Sequence, residues 1–292
     1  MLNRIAIPSA ACLFVFCLCH NDLNRVAEKT LAMSADSLPR KIIPSGNTVE
    51  SRFPVPEGFV RTTSDSASFA AWLRRLPLHP EGYPVHLYNG SLKSRNDVYC
   101  AVLNLDVGRR DLQQCADAVI RLRAEYLYSR KRFDDIHFLF TNGFVAEYAR
   151  WRHGERIRVD GNSVYWTKGG KVSDEYPEFR RYLDMVFAYA GSASLERELY
   201  AVEPTALRGG DVWIEGGYPG HAVIVLDVAV HPQSGELLFL LAQSYMPAQE
   251  IHVLRNPVKD DGSPWYSLAE TGAKLVTPEW TFGKKQLRRF RD

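Results

Sequence analysis

Gly210-Asp211-Val212-Trp213-Ile214-Glu215-Gly216-Gly217-Tyr218-Pro219-Gly220-His221-Ala222-Val223-Ile224-Val225-Leu226-Asp227-Val228-Ala229-Val230 is followed at once by His231-Pro232-Gln233-Ser234-Gly235-Glu236 and then by Leu237-Leu238-Phe239-Leu240-Leu241-Ala242-Gln243-Ser244-Tyr245. The apolar, β-branched runs 212–214, 222–230 and 237–243 are each bounded by Gly, Pro or Ser, which reads as consecutive strands with a hairpin connection at 231–236. A fourth run follows at 251–254. Helical spacing dominates earlier in the chain, so helices come first and a meander of antiparallel strands later. That order predicts an α+β fold.

Working back from this stretch, Ser64 or Asp65 can cap a short helix with Phe69, Trp72, Leu73 and Leu76 on one face, stopped by Pro77. Segments 85–88 and 97–105 read as strands. Asp111 is the expected cap of a helix running to about Ser129, with Gln114 at capping-box spacing. Its inward stripe is Leu112, Cys115, Ala116, Val119, Leu122 and Tyr126. Segment 136–140 reads as a strand and 144–152 as a helix. The polar stretch 156–172 reads as a surface excursion, and helices are expected from Pro177 and over 194–200. The basic end, Lys284-Lys285-Gln286-Leu287-Arg288-Arg289-Phe290-Arg291, reads as the solvated face of a final helix.

The N-terminus differs in kind. A basic Arg4 precedes fifteen apolar residues interrupted by Pro8, too short a run for a bilayer span. Residues 1–19 therefore read as an export signal, with Cys19 as a candidate lipid-attachment site before His20-Asn21-Asp22. Residues 20–57 read as a flexible tether rich in proline, and 58–292 as the folded domain with an insertion around 130–205. A periplasmic or outer-membrane-associated location follows as the expectation, with membrane contact only through a lipid. The net charge is +2 over 292 residues, which gives no strong attraction to nucleic acid. Outside the leader, histidines and cysteines never cluster at metal-ligand spacing, and no glycine-rich phosphate loop precedes a helix, so no cofactor is expected.

Outside the leader the cysteines are Cys100 and Cys115. A thiol at a helix start gains from free N–H groups that favour a thiolate, and the sequence predicts a lowered pKa for Cys115 on that ground. His221, at the first position of an apolar strand after a glycine-rich loop, is the expected base. Hairpin pairing returns residues near 243–245 beside it, and Gln243 is the expected orienting group. Ser244, Asp211 and Asp227 are alternatives, with register deciding between Gln243 and Ser244. The backbone N–H of Cys115 would serve as an oxyanion donor, with Gln113, Gln114 or Tyr88 as side-chain candidates. Trp213, Tyr218 and Tyr245 are candidate substrate contacts. The rival for Cys115 is a structural disulfide with Cys100.

The stretch 210–245 resembles the second half of NlpC-type and CHAP amidase domains, where a Gly-Asp strand precedes a Gly-His strand and then a strand with a polar residue. Asp111-Leu112-Gln113-Gln114-Cys115-Ala116-Asp117 and Leu240-Leu241-Ala242-Gln243-Ser244-Tyr245-Met246-Pro247-Ala248-Gln249-Glu250 resemble the bacterial family DUF4846 over roughly 58–290. The resemblance implies a papain-like core with the cysteine-bearing helix packed on an antiparallel sheet. It also implies a Cys115–His221–Gln243 thiol hydrolase acting on amide bonds, with peptidoglycan peptides as a target. A domain that binds an envelope peptide or glycan without turnover is the alternative.

Overall fold

The computed structural model describes residues 42–291. The expectations placed on the leader, on Cys19 and on the first part of the tether lie outside those residues. In chain order the elements are α1 (Val49–Arg52), β1 (Val60–Arg61), α2 (Phe69–Arg74), β2 (Tyr99–Val102), α3 (Cys115–Ser129), β3 (His137–Leu139), β4 (Val145–Glu147) and α4 (Tyr148–Arg152). There follow β5 (Arg156–Asp160), β6 (Ser163–Thr167), α5 (Tyr176–Tyr189), α6 (Ser192–Glu198), β7 (Tyr200–Ala201), β8 (Val212–Glu215), β9 (His221–Val230) and β10 (Leu237–Gln243). The chain ends with β11 (His252–Leu254), β12 (Tyr266–Ser267), β13 (Lys274–Val276), β14 (Thr281–Gly283) and β15 (Leu287–Arg289). The fold is α+β.

The frame is a nine-stranded antiparallel sheet in the order β2-β11-β10-β9-β8-β15-β7, with β1 also on β9 and β12 also on β10. Strands β9 and β10 lie at its centre and are covered on both faces, which is why they read as unbroken apolar runs rather than as an alternation. One face carries Ala222, Ile224 and Leu226 into a core shared with Ala116, Val119 and Ile120 of α3. The other carries Val223, Val225, Phe239 and Leu241 into a second core with Trp213, Tyr266, Leu275 and Phe282.

Helix α3 is buried from Ala116 to Leu127, well beyond the single stripe expected of it. The far side is covered by α5: Tyr128 stacks on Phe179 with ring centroids 4.3 Å apart. The Tyr176 hydroxyl donates to Glu125 at 2.7 Å, while Arg121 reaches both Glu125 (2.6 Å) and that hydroxyl (3.0 Å). Charged residues tolerate this burial because they are paired and hydrogen-bonded.

One irregularity in the sheet decides what the site contains. Strands β9 and β10 pair Phe239 with Val228 and Leu240 with Asp227, but Leu241 with Val225 and Ala242 with Ile224. Leu226 is the extra residue of a β-bulge, and an extra residue reverses the facing of everything beyond it. Past the bulge, Gln243 shares the face of Val223 and His221. Without it, that face would carry Ser244. Asp227 holds the bulge: its carboxylate is fully buried and accepts Arg74 Nε at 2.5 Å, Arg61 Nε at 2.7 Å and the Val228 N–H at 2.9 Å.

Several segments depart from expectation. The packing begins N-terminal of Gly58, since Val49, Arg52 and Phe53 are buried and Arg52 Nε donates to the Gly46 carbonyl at 2.6 Å. Segment 85–88 makes only isolated bridges, one of them between Leu87 and Gln249. Segment 144–152 divides into β4 and α4, because the Asn142-Gly143 turn folds β4 back on β3. The polar excursion at 156–172 contains the hairpin β5–β6, with Arg150 over the Trp166 ring at 4.6 Å. The basic end forms β15 against β8 rather than a helix, and Arg289 binds the buried Asp211 carboxylate at 2.6 and 2.8 Å. Among the described residues no helix is long and apolar enough to cross a membrane.

Candidate functional site

The cysteine is placed by its helix. Cys115 is the first residue of α3, and Gln114, with extended backbone, is the N-cap. Asp117 caps in return, accepting the Gln114 N–H at 3.0 Å. Asp111 is therefore not the cap; its carboxylate accepts the Ala248 N–H at 2.7 Å and Gln114 Nε2 at 3.2 Å, tying the approach to α3 to the loop after β10. Ser244 strengthens the same tie, its hydroxyl lying 3.0 Å from the Gln113 carbonyl and 2.8 Å from that of Gln249. These contacts set the start of the helix against the end of the sheet from which His221 emerges.

The Cys115 sulfur faces its own N–H, that of Ala116 and that of Ala222, the residue after His221. No hydrogen bond joins the thiol to the imidazole; the peptide unit between His221 and Ala222 is what links the two positions. Burial pushes the thiol up to about 11, with the Asp117 charge adding to it and the three N–H groups opposing. The lowered pKa expected at a helix start is thus reversed, because desolvation outweighs the helix terminus. Asp117 is itself pushed up by burial, to about 8, which leaves it largely protonated at neutral pH.

His221 is held from both sides. The glycine before it is required by space: a Cβ on Gly220 would lie 2.4 Å from Ser192 Oγ and 2.5 Å from the Gly217 carbonyl. Its ring packs against Tyr245, Trp280 and Phe282 at centroid separations of 5.2, 5.3 and 5.9 Å. Nε2 lies 2.9 Å from Gln243 Oε1, the one hydrogen bond of the ring. Burial lowers the imidazole to about 4; the Gln243 contact raises it and Lys93 lowers it further. Both the thiol and the imidazole therefore rest neutral near pH 7.

Gln243 reaches further than its bond to His221. Its Nε2 donates to Glu279 Oε2 at 2.6 Å and lies 3.4 Å from His252 Nε2. Lys93 Nζ binds the other Glu279 oxygen at 2.9 Å and stands over the Tyr245 ring. Glu279, Trp280 and Tyr245 also line an open groove of about 510 Å³ with Arg95, Thr277 and Thr281. Lys93, Glu279 and Trp280 were not legible as site residues, being ordinary turn residues far from Cys115 in sequence.

The remaining candidates divide. Gln113 is buried, with Oε1 accepting from Arg121 at 3.0 Å and Nε2 unpartnered. Gln114 spends its amide on Asp111. Tyr88 is partly exposed and anchored through its backbone N–H to Ala248. Tyr245 lies against His221, and Tyr218, 98% exposed, projects from the loop before it. Trp213 does not reach a surface: it is buried and stacked on Phe239 at 5.1 Å. Asp211 and Asp227 are committed to arginines in the fold and cannot orient His221. Cys100 and Cys115 are both free thiols, so the disulfide expectation fails. Among the described residues no group of His, Cys, Asp and Glu is arranged to hold a metal ion.

The two free thiols differ in reactivity on this account. Cys100 is pushed up by burial to about 12, against about 11 for Cys115. One pKa step is roughly a tenfold difference in thiolate, so iodoacetamide is expected to label Cys115 about tenfold faster, read by peptide mass spectrometry. Equal rates would mean that the position at the helix start confers nothing.

Comparison with curated proteins and with solved structures gave no match. The family model described as DUF4846, Domain of unknown function (4846), matches residues 49–289, from α1 to the last strand. The chain that carries this helix-start cysteine and strand-start histidine belongs to the DUF4846 family.

Proposed function

We propose that this protein is a thiol hydrolase of papain-like design, acting on an amide bond of an exported cell-envelope substrate such as a peptidoglycan peptide. The observation that carries the reading is the pairing of His221 Nε2 with Gln243 Oε1 at 2.9 Å on the strand whose next N–H faces the Cys115 sulfur. A bond from Nε2 leaves Nδ1 as the nitrogen available for a proton.

As sulfur attacks the carbonyl carbon, the S–H proton passes to His221 and a C–S bond forms. The imidazolium then gives that proton to the amine as the C–N bond breaks, leaving a thioester. Because burial disfavours the imidazolium, it surrenders the proton readily. Water next attacks the thioester, with His221 taking its proton, and the released thiol recovers one. The backbone N–H groups of Cys115 and Ala116, which face the sulfur and have no helix carbonyl to bind, would receive the oxyanion.

The test is intact-mass analysis after incubation with an activated ester of a short envelope-type peptide. Acylation confined to Cys115, followed by turnover, is expected; the absence of any adduct at Cys115 would sink the reading. The neutral resting pair favours a second reading, a domain that binds a peptide or glycan in the Tyr245–Trp280 groove without turnover. Binding that persists in Cys115→Ala, with no adduct in the native protein, would select it.

A further inference from the structure

We infer that Glu279, held by Lys93, is the positioning residue that decides which ring nitrogen of His221 carries the proton; this rests on the reading of Cys115 and His221 as a hydrolase pair. A carboxylate can only accept hydrogen bonds, so the group that Gln243 turns to Glu279 at 2.6 Å must be its amide nitrogen. His252 imposes the same orientation. Its Nδ1 lies 2.9 Å from the Glu250 carbonyl, also only an acceptor, so Nδ1 carries the hydrogen and Nε2 is bare. That bare nitrogen receives the second amide hydrogen of Gln243 at 3.4 Å. A half-turn of the amide would set its oxygen against a carboxylate and a lone pair together.

With the amide nitrogen committed, Gln243 can offer His221 only its oxygen. His221 must then carry its hydrogen on Nε2, and Nδ1 is the bare base. The carboxylate that starts this sequence is itself buried, its side chain 8% exposed and that of Lys93 6%. A buried carboxylate keeps its charge only with a partner, which Lys93 Nζ supplies at 2.9 Å. The turn bearing Glu279 is fixed by Thr277, whose Oγ1 accepts the Trp280 N–H at 3.1 Å, and by Trp280 Nε1 donating to Glu215 on β8 at 3.2 Å. The anchor of the imidazole is therefore a turn fixed by its own hydrogen bonds and by β8.

The test is long-range proton–nitrogen NMR of the His221 ring in the full chain, paired with the rate of Cys115 acylation by the activated peptide ester. The native protein should show hydrogen on Nε2. In Glu279→Gln the new side chain can offer either oxygen or nitrogen, so the orientation of Gln243 is no longer forced. The ring should then shift toward hydrogen on Nδ1, and acylation should slow about tenfold. A native ring with hydrogen on Nδ1 would overturn the inference even if the variant does not fold. So would Glu279→Gln with both readouts unchanged beside a reactive Cys115, which leaves the hydrolase reading standing. A shifted ring with Cys115 inert in both proteins supports the positioning role and removes the hydrolase reading instead.

Discussion

His221→Ala is expected to slow acylation of Cys115 near neutral pH by about a thousandfold, within the range that a positioned general base contributes. The reason lies in the resting protonation of the pair. With the thiol pushed up to about 11, only a very small fraction is thiolate at neutral pH, so attack depends on a base that takes the proton. Asp117 is the carboxyl whose charge acts on the thiol, but burial raises it to about 8, and its Oδ2 already accepts the Gln114 N–H. The imidazole, lowered to about 4, is fully in its basic form above about pH 5 and so is ready whenever sulfur attacks. Removing the ring also leaves a hole beside Phe282 and Trp280, so a thermal melt must show that the variant is folded. A loss of less than about threefold in a folded variant would mean that His221 is not the base.

Asp227→Ala carries the largest expected effect on stability, a loss of about 3–5 kcal/mol, because it strands buried cations that the carboxylate neutralised. Arg74 is itself buried and Arg61 partly so, and Asp227 is fully enclosed, so little water can replace the lost bonds. For a chain of this size the midpoint of thermal unfolding should fall on the order of 10 °C. The same carboxylate binds the Val228 N–H at the bulge, so its loss also weakens the register that turns Gln243 toward His221. A folded Asp227→Ala should therefore lose Cys115 acylation more steeply than its remaining folded fraction explains. A midpoint lowered by less than about 2 °C would show that the cluster does not hold the bulge.

Much of this was legible in the residues. The apolar runs from 212 to 254 gave β8 to β11 nearly to their ends, since central strands covered on both faces leave an unmistakable pattern. The helix of Cys115 was legible from its stripe, but its first residue was not. Asp111 offers the side chain of a good cap, and only the tertiary bond to Ala248 shows that it is engaged elsewhere. The choice between Gln243 and Ser244 depended on parity, which the Leu226 bulge sets and which no local preference reveals. The direction of the Cys115 shift was not legible, because helix-end electrostatics can be read from position, whereas desolvation depends on what packs above the sulfur. The place of Trp213 was hidden for a related reason: aromatic side chains serve cores and surfaces alike, and only the β8–β9 register sends it to the second core. Lys93 and Glu279 meet across 186 residues, a separation at which charge pairing leaves no sequence signal.

The claim at the centre of this account is that His221 takes the proton of Cys115 during attack, and the pH profile of Cys115 acylation by the activated peptide ester tests it most directly. With a base lowered to about 4 and a thiol raised to about 11, the rate in the native protein should be flat from about pH 5 to about pH 9. In His221→Ala it should climb close to tenfold per pH unit, as for a thiol that must ionise unaided. A native profile that climbs with the same slope as the variant would contradict the account.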